Sequence, residues 1–260
     1  MIDGFEVARC RSCGVLYVLN PVPYDGIPSL YPESYFGDFH RERPSEWIPF
    51  LREINRQRLR RIEAMKTPGT ILDIGCGIGL FLEEARQRGW ETQGVEISSE
   101  AAEYAKERLN LEILVGRAEE VTVPRESVDV VTLWHLLEHL EKPLTVLQGL
   151  HEALRPGGLL VVETPNARDP RGHRRLWRGE GHPRFHRFVF TPRALRWALT
   201  QVGFSRIEVV HWGYRLPEGS LRGRLFGPAR RLLKRTLSWA GRDSVVTCLA
   251  WKGRPSFLSP

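Results

Sequence analysis

Three polar side chains suited to acid–base or metal chemistry lie close together in the middle of the chain. His135, Glu138 and His139 have the spacing i, i+3, i+4, which puts side chains on one face of a helical turn. Three interpretations are open: a histidine acts as a general base or fixes a substrate, the turn binds a divalent metal, or the residues are structural. The spacing also matches a zinc-protease pattern, but the residues before it read as a strand, which argues against a protease.

A glycine-rich turn is the second chemical signal. In Thr70–Gly79 an apolar strand runs into Gly75, Gly77 and Gly79 and then into a helix, and glycine lets the backbone approach a ligand closely. The spacing is G-x-G-x-G, not the G-x-G-x-x-G of dinucleotide folds. Glu96 ends the next apolar strand about twenty residues on, where an acidic side chain can accept hydrogen bonds from both hydroxyls of a ribose. The alternative is that Glu96 only caps the following helix.

The elements around these residues alternate between short apolar runs and amphipathic stretches. This alternation predicts a parallel sheet with crossover helices. Strands are predicted at 70–74, 91–96, 112–115, 128–134 and 158–163, and helices at 78–88, 99–109 and 143–154. A helix over 44–64 precedes them, and a helix over 191–202 and strands over 204–212 and 244–252 follow. Ser98 and Thr191-Pro192 are expected to begin helices, and 155–158 (RPGG) to end one and turn the chain.

The predicted organisation is one main domain with an N-terminal arm. Residues 1–45, rich in Pro and Tyr, predict a mostly irregular arm with one short strand at 14–19. The domain over 46–260 has its core at 70–166, a basic substrate or lid insert at 165–190, and a C-terminal helix and strands at 191–252. A basic amphipathic stretch at 221–239 either packs on the sheet or makes peripheral contact with an anionic membrane.

Composition predicts a soluble globular protein, with 42% apolar and 27% charged residues. No stretch approaches the roughly 18 apolar residues of a membrane-spanning helix, which argues against integral membrane association. The first residues lack a secretory apolar run, and four cysteines without an export signal favour a reducing cytoplasm. The net charge of +7 comes almost wholly from Arg. Arg can bind phosphates or carboxylates, but its spread through every segment also fits Arg-rich codon usage.

Taken in order, the motifs resemble those of class I S-adenosylmethionine (SAM)-dependent methyltransferases. The resemblance covers about residues 70–166 and rests on 72–79 (LDIGCGIG), 94–97 (GVEI), 116–119 (GRAE), 130–139 (VVTLWHLLEH) and 154–158 (LRPGG). The arm and 186–191 (HRFVFT) are similar to a bacterial subgroup with a Cys-rich N-terminus, which includes sugar C-methyltransferases. The resemblance implies an α/β, Rossmann-like seven-stranded sheet with its last strand antiparallel and helices on both faces.

The resemblance also implies a SAM site. The chain departs from the family at Arg117, where an acidic residue often contacts the adenine amino group and where Arg cannot accept a hydrogen bond. The implied cofactor residues are Asp73 at the amino group, Gly75, Cys76, Gly77 and Gly79 around the methionine part, Glu96 at the ribose, Ile97, Ala118 and Glu119 at adenine, and Leu133 and Trp134 closing the site.

The predicted catalytic residues are His135, Glu138, His139 and His186, and no metal ligand is assigned. Ubiquinone-biosynthesis O-methyltransferases are similar around His135 and use an E-x-x-E-H there for a divalent metal, but His135 replaces the first carboxylate. His186, flanked by Arg and Phe, is expected to face the site, whereas His173 and His182 fit a surface loop equally well.

The pair Cys10 and Cys13 forms a single C-x-x-C. A structural zinc site usually needs two such pairs. The resembled subgroup carries a second pair, so Cys10 and Cys13 are interpreted as the remnant of a lost zinc ribbon, with zinc binding by this pair as the alternative that the sequence leaves open.

The predicted reaction is methyl transfer from SAM to an O or C atom of a small, anionic molecule such as a sugar nucleotide or a glycan or lipid precursor. One alternative is a nucleic-acid methyltransferase, but the Asn/Asp-Pro-Pro-aromatic motif expected after the fourth strand is replaced by 133–136 (LWHL). Another is a SAM-binding protein without catalysis. The sequence leaves the oligomeric state open.

Overall fold

A seven-stranded mixed sheet organises the chain. The computed structural model describes residues 2–23, 44–169, 182–210, 212 and 244–253. Its strands are β1 (Val7–Arg9), β2 (Leu16–Val18), β3 (Thr70–Ile74), β4 (Glu91–Glu96), β5 (Ile113–Val115), β6 (Val128–Trp134), β7 (Leu154–Pro165), β8 (Phe188–Val189), β9 (Phe204–Val210) and β10 (Val245–Lys252). Its helices are α1 (Pro44–Glu63), α2 (Leu80–Gln87), α3 (Ser99–Leu109), α4 (Pro143–Ala153) and α5 (Pro192–Gln201).

The order of the large sheet is β5-β4-β3-β6-β7-β10-β9. β3, β4, β5, β6 and β7 pair in parallel, and β10 pairs antiparallel with both β7 and β9. The predicted Rossmann-like sheet with its last strand antiparallel is therefore confirmed. The central strands are mostly apolar because both faces of the sheet are covered, and Asp73 and Thr132 are buried polar exceptions.

Helices cover the two faces with separate apolar clusters. On one face Leu72, Val131 and Leu160 pack with the buried sides of α4 and α5. On the other, Ile71, Val130 and Val161 pack with α1, α2 and α3. Neighbouring residues of one strand alternate between the clusters, as side chains on a pleated strand must.

The predicted elements agree with the observed ones to within a few residues, and the predicted caps are confirmed. Ser98 accepts a hydrogen bond from the backbone N of Ala101, and Thr191 accepts one from Ala194, with Pro192 as the first helical residue. The clearest difference is at 155–158, which does not simply separate helix from strand. β7 already begins at Leu154, and because Val128 pairs with Leu154 while Val130 pairs with Leu159, the segment 155–158 bulges out of the strand.

The described part of the arm is more regular than predicted. β1 was not predicted, and with β2 and β8 it forms a second, three-stranded antiparallel sheet. The partner of β2 lies about 170 residues away in the chain, since Leu16 pairs with Val189, so no local pattern indicates the pairing. The predictions for 24–43, for the insert over 170–181 with His173, and for the basic stretch 221–239 lie outside the described residues. Among the described helices, none has the length and apolar character needed to cross a membrane.

Two leucines of α4 give a matched test of this core. Leu147 is fully buried between α4 and the sheet, whereas Leu144, three residues earlier, is 40% exposed. Leu147→Ala should lower the free energy of unfolding by about 2–5 kcal/mol, because it leaves a cavity. Leu144→Ala should change it by less than about 1 kcal/mol. Urea denaturation of both variants measures the difference; equal losses would contradict the described packing.

Candidate cofactor and acceptor site

Acidic side chains gather where four parallel strands end. Asp73 lies near the end of β3, Glu96 ends β4, and Glu163 lies near the end of β7. Glu138 follows the end of β6 by four residues. All four residues are buried, with at most 5% of their surface exposed. The carboxyl edge of a parallel sheet is where α/β folds bind ligands.

The glycine-rich loop connects β3 to α2 through left-handed backbone. Gly75, Gly77 and Gly79 have φ of 72°, 54° and 79°, which side chains other than glycine rarely adopt. A Cβ on Gly75 would lie 2.9 Å from Cδ1 of Leu136, and one on Gly79 would lie 2.8 Å from Cδ1 of Leu111. The loop therefore needs glycine for its conformation and for the space around it.

Glu96 ties this loop to the start of α3. Its Oε2 accepts a hydrogen bond of 2.8 Å from the backbone N of Gly77, and its Oε1 accepts one of 3.0 Å from that of Ser98. Ser98, not Glu96, caps α3. Burial raises the pKa of Glu96 although these backbone donors oppose the effect. Each carboxylate oxygen keeps a lone pair, so both can still accept a hydroxyl.

Asp73 lies beneath the loop in a setting that disfavours its charge. Thr132 of β6 donates a hydrogen bond of 2.6 Å to its Oδ1. Burial nevertheless raises the pKa of Asp73 to about 7, despite Thr132 and the charge of Arg58. A cationic ligand group nearby would restore the carboxylate to its charged form.

Cys76 is inert in this loop. Burial, with the charges of Asp73 and Glu96, raises the pKa of its thiol far above the usual range. The thiol packs below Gly94, where a Cβ would lie 3.0 Å from its Sγ. We therefore assign Cys76 no nucleophilic role.

His135 begins the turn after β6 in a strained conformation. Its φ is 55°, which is uncommon for a residue other than glycine, and its backbone N donates to the carbonyl of Glu163. Its side chain is 43% exposed and lies between two carboxylates, with Nδ1 3.5 Å from Glu138 and Nε2 3.5 Å from Glu163. Burial lowers the pKa of His135, but the two carboxylates outweigh it and raise the pKa to about 9.

Glu138, His139 and His186 form a buried cluster beside this turn. The segment 137–139 is a single turn and not a helix, yet Glu138 and His139 both reach His186, which lies just before β8. One potential donor atom from each of the three lies within 4.8 Å of the others, and the rings of His139 and His186 meet edge to face at 4.6 Å. The structure thus brings together three of the four predicted catalytic side chains, with His135 in contact through Glu138.

The backbone of Glu138 positions His186 in the cluster. Its carbonyl accepts hydrogen bonds from the backbone N of Arg187 and of Phe188. Burial lowers the pKa of His186 to about 4, although the charge of Glu138 opposes the effect. Burial also raises the pKa of Glu138, but His135 and the other histidines outweigh it and lower the pKa to about 2.

Two site residues were missed in the sequence. Glu163 accepts hydrogen bonds from Arg58 of α1 and from Thr247 of β10, and the guanidinium of Arg58 lies 4.2 Å above the ring of Trp134. An acidic residue near the end of an apolar strand, as at Glu96, is the signal that could have identified Glu163. Arg58 had no such signal, since α1 carries many arginines.

The remaining predicted cofactor residues lie nearby with unequal exposure. Ile97 and Ala118 are half-buried, and Glu119 accepts a hydrogen bond from the backbone N of Glu141. Arg117 pairs with Glu120 and Glu141. Leu133 and Trp134, which were predicted to close the site, differ in exposure. Trp134 is half-buried against Phe81, whereas Leu133 is fully buried in the core. Leu136, which contacts Gly75, lies at the loop itself.

Comparisons with known proteins identify the family of the chain. A family model described as a methyltransferase domain matches residues 39–209, more than half of the chain. The chain belongs to the class I SAM-dependent methyltransferase family.

Several relatives of this methyltransferase carry one name. Ubiquinone biosynthesis O-methyltransferases from Haemophilus ducreyi and Stutzerimonas stutzeri are each 33% identical, over 37% and 51% of this chain. The chain spans only 45% and 60% of their lengths. The protein of that name from Ruegeria pomeroyi is 28% identical over 74% of each chain.

Solved structures show the same fold. A SAM-dependent methyltransferase from Archaeoglobus fulgidus matches with a TM-score of 0.60 and 22% identity, over 84% of this chain and all of that one. Phosphoethanolamine N-methyltransferase 2 from Haemonchus contortus, in complex with S-adenosyl-L-methionine, matches with a TM-score of 0.62 and 18% identity, over 88% of this chain and 60% of that one.

The residues present fit the family's cofactor, SAM. The loop needs glycine, the carboxylate of Glu96 has spare lone pairs, and Asp73 makes no salt bridge within the described part of the chain. When bound, SAM supplies an electrophilic methyl group on sulfur. The individual roles of these residues stay proposals: Glu96 toward the ribose and Asp73 toward the amino group.

The role of Glu96 predicts a loss of cofactor affinity on substitution. Glu96→Ala should weaken binding of S-adenosylhomocysteine by roughly 1–3 kcal/mol, because polar partners are left unpaired. Calorimetric titration measures it. Glu107→Ala, on the exposed side of α3, is the matched control and should bind as the wild type does. Unchanged affinity in Glu96→Ala would remove this residue from the site.

The pKa of Asp73 predicts a pH dependence of cofactor binding. A raised acid pKa of about 7 leaves the side chain largely neutral below pH 7, and only the carboxylate form can pair with an ammonium group. Affinity for S-adenosylhomocysteine should therefore rise as pH increases through about 7. In Asp73→Asn, which cannot ionise, this rise should be absent. The same rise in both proteins would assign the titration to another group.

Proposed function

We propose that the protein transfers the methyl group of SAM to an oxygen atom of a small molecule. The main observation in support is the buried cluster of Glu138, His139 and His186, which adjoins the glycine loop through the turn after β6. The names of the relatives, O-methyltransferases, support oxygen as the acceptor atom. In this reaction a C–O bond forms as a C–S bond breaks, the hydroxyl loses its proton, and S-adenosylhomocysteine leaves.

A hydroxyl is a poor nucleophile until its proton is removed or shared. His135 carries its own proton at neutral pH because the carboxylates of Glu138 and Glu163 raise its pKa to about 9. His186 is neutral there, since burial lowers its pKa to about 4. We therefore favour the cluster around His186, and not His135, as the group that activates the acceptor.

The charge of the described site fits the cofactor more directly than it fits an anionic acceptor. Asp73, Glu96, Glu138 and Glu163 lie at the strand ends, and Arg58 is already paired with Glu163. Such an edge attracts the sulfonium and ammonium groups of SAM. A sugar nucleotide or lipid precursor thus stays a proposal that rests on Arg content and on the resemblance.

A labelled-methyl assay tests the proposed function. The protein is incubated with SAM carrying a carbon-13 methyl group and a panel of phenols, sugar nucleotides, lipid precursors and RNA. We expect an O-methyl resonance on a small hydroxyl compound, with S-adenosylhomocysteine formed in equal amount.

Gly77→Arg should abolish this transfer because the side chain fills the loop. Gly149→Arg, exposed on α4 with open space around it, should leave transfer unchanged. A carbon-bound methyl group, or transfer to RNA alone, would replace the proposal. Cofactor binding with no transfer to any acceptor class would favour a non-catalytic SAM-binding protein.

A further inference from the structure

Two atoms of the buried cluster have no hydrogen-bond partner among the described residues. They are Oε1 of Glu138 and Nδ1 of His186. Glu138 is fully buried and His186 is 7% exposed. Leaving a buried polar atom unsatisfied costs about 1–3 kcal/mol, and more for a charged group. Oε1 of Glu138 faces the ring of His135, whose Nδ1 lies 3.5 Å away without a hydrogen bond. A ligand that accepts electron pairs would satisfy this oxygen and Nδ1 of His186 together.

The other atoms of the cluster are held as metal ligands usually are. Nδ1 of His139 lies 3.0 Å from the carbonyl of Phe185. A carbonyl can only accept, so Nδ1 carries the hydrogen and Nε2 is the nitrogen of the neutral ring that can act as a metal ligand. Thr164 donates a hydrogen bond of 2.9 Å to Oε2 of Glu138. Such outer partners fix the orientation of metal-binding histidines and carboxylates.

We propose that Glu138, His139 and His186 bind one divalent transition-metal ion of the Zn²⁺ type. Two imidazoles and one carboxylate are the protein ligands of many catalytic zinc sites, which keep a further position open. The positive charge would satisfy both unpartnered atoms and the buried carboxylate at once. This proposal differs from the sequence-based prediction, which assigned no metal ligand.

The ligand set departs from the E-x-x-E-H of similar enzymes. His135, in the place of the first carboxylate, turns toward Glu163 as well as Glu138. Its place is taken by His186, a residue 47 positions after His139 in the sequence, which the contacts of Arg187 and Phe188 with Glu138 hold in position. Because an imidazole replaces a carboxylate in the ligand set, the site should prefer Zn²⁺ or Co²⁺ over Mg²⁺.

The role of the ion rests on the proposed function, whereas its binding does not. A hydroxyl that meets a divalent ion loses its proton more easily. The proton passes to solvent, the methyl group moves from sulfur to oxygen, and no atom is oxidised or reduced. The chemistry balances with SAM and the acceptor alone.

Metal titration of chelator-treated protein tests the site without turnover. The background is the double substitution Cys10→Ser, Cys13→Ser, so that thiolates cannot bind the ion. We expect one Co²⁺ per chain, seen by its visible absorption and displaced by Zn²⁺ but not by excess Mg²⁺. His186→Ala and Glu138→Gln should each weaken binding by more than about 100-fold, and Thr164→Val by roughly 10–100-fold, as loss of an outer partner does.

His182→Ala is the matched control, since His182 lies on the same segment but bonds to Asp3. It should bind Co²⁺ as the background protein does. Retained affinity for S-adenosylhomocysteine shows that each variant is folded. No stoichiometric Co²⁺ binding, equal binding in His186→Ala, or displacement by Mg²⁺ would overturn the proposal. Methyl transfer that persists in chelator would overturn the role of the ion and leave the proposed function standing. Metal binding without any transfer would overturn the proposed function, and with it that role, and leave the metal site standing.

Discussion

Four buried carboxylates at one edge of the sheet have to be compensated, and much of the local structure serves that need. Removing an ionised carboxylate from water is costly unless donors or cations replace the lost hydration. Backbone N–H groups of the glycine loop and of α3 serve Glu96. Arg58 and Thr247, from opposite ends of the chain, serve Glu163. The positions of α1 and β10 are thereby linked to the same edge.

The four carboxylates do not receive equal numbers of donors. The missing donors, called deficits below, indicate where ligands bind. Asp73 has one hydroxyl donor, and burial holds its pKa near 7. One oxygen of Glu138 accepts from Thr164 while the other lies 3.5 Å from His135 without a hydrogen bond. The turn that begins at His135 connects the two deficits, since its Leu136 contacts Gly75 of the glycine loop and its Glu138 belongs to the buried cluster. A cationic cofactor at Asp73 and a metal ion at Glu138 would supply the positive charge that these two carboxylates lack.

Most of the sheet could be predicted from the sequence because its signals are local. Apolar runs, caps such as Ser98 and Thr191, and the glycine loop each lie within a few residues of what they determine. The pairing of β2 with β8 and the approach of His186 to His139 depend on segments far apart in the sequence. Arg58 was missed for the same reason, since only the fold brings α1 over the end of β7. Glu163 was missed although it carries a local signal, an acidic residue near the end of an apolar strand.

The turn after β6 depends both on local residue spacing and on tertiary contacts. The i, i+3, i+4 pattern predicted one face of a helix, but the left-handed φ of His135 sends its ring toward Glu163. Glu138 and His139 then meet a histidine from the segment before β8, which the backbone carbonyl of Glu138 itself holds in place. Glu138 therefore acts twice, with its carbonyl fixing the segment and its carboxylate facing the histidine that the segment carries. Because β8 also pairs with β2, any ligand that strengthens the cluster of Glu138, His139 and His186 should also stabilise the docking of the three-stranded sheet against the methyltransferase core.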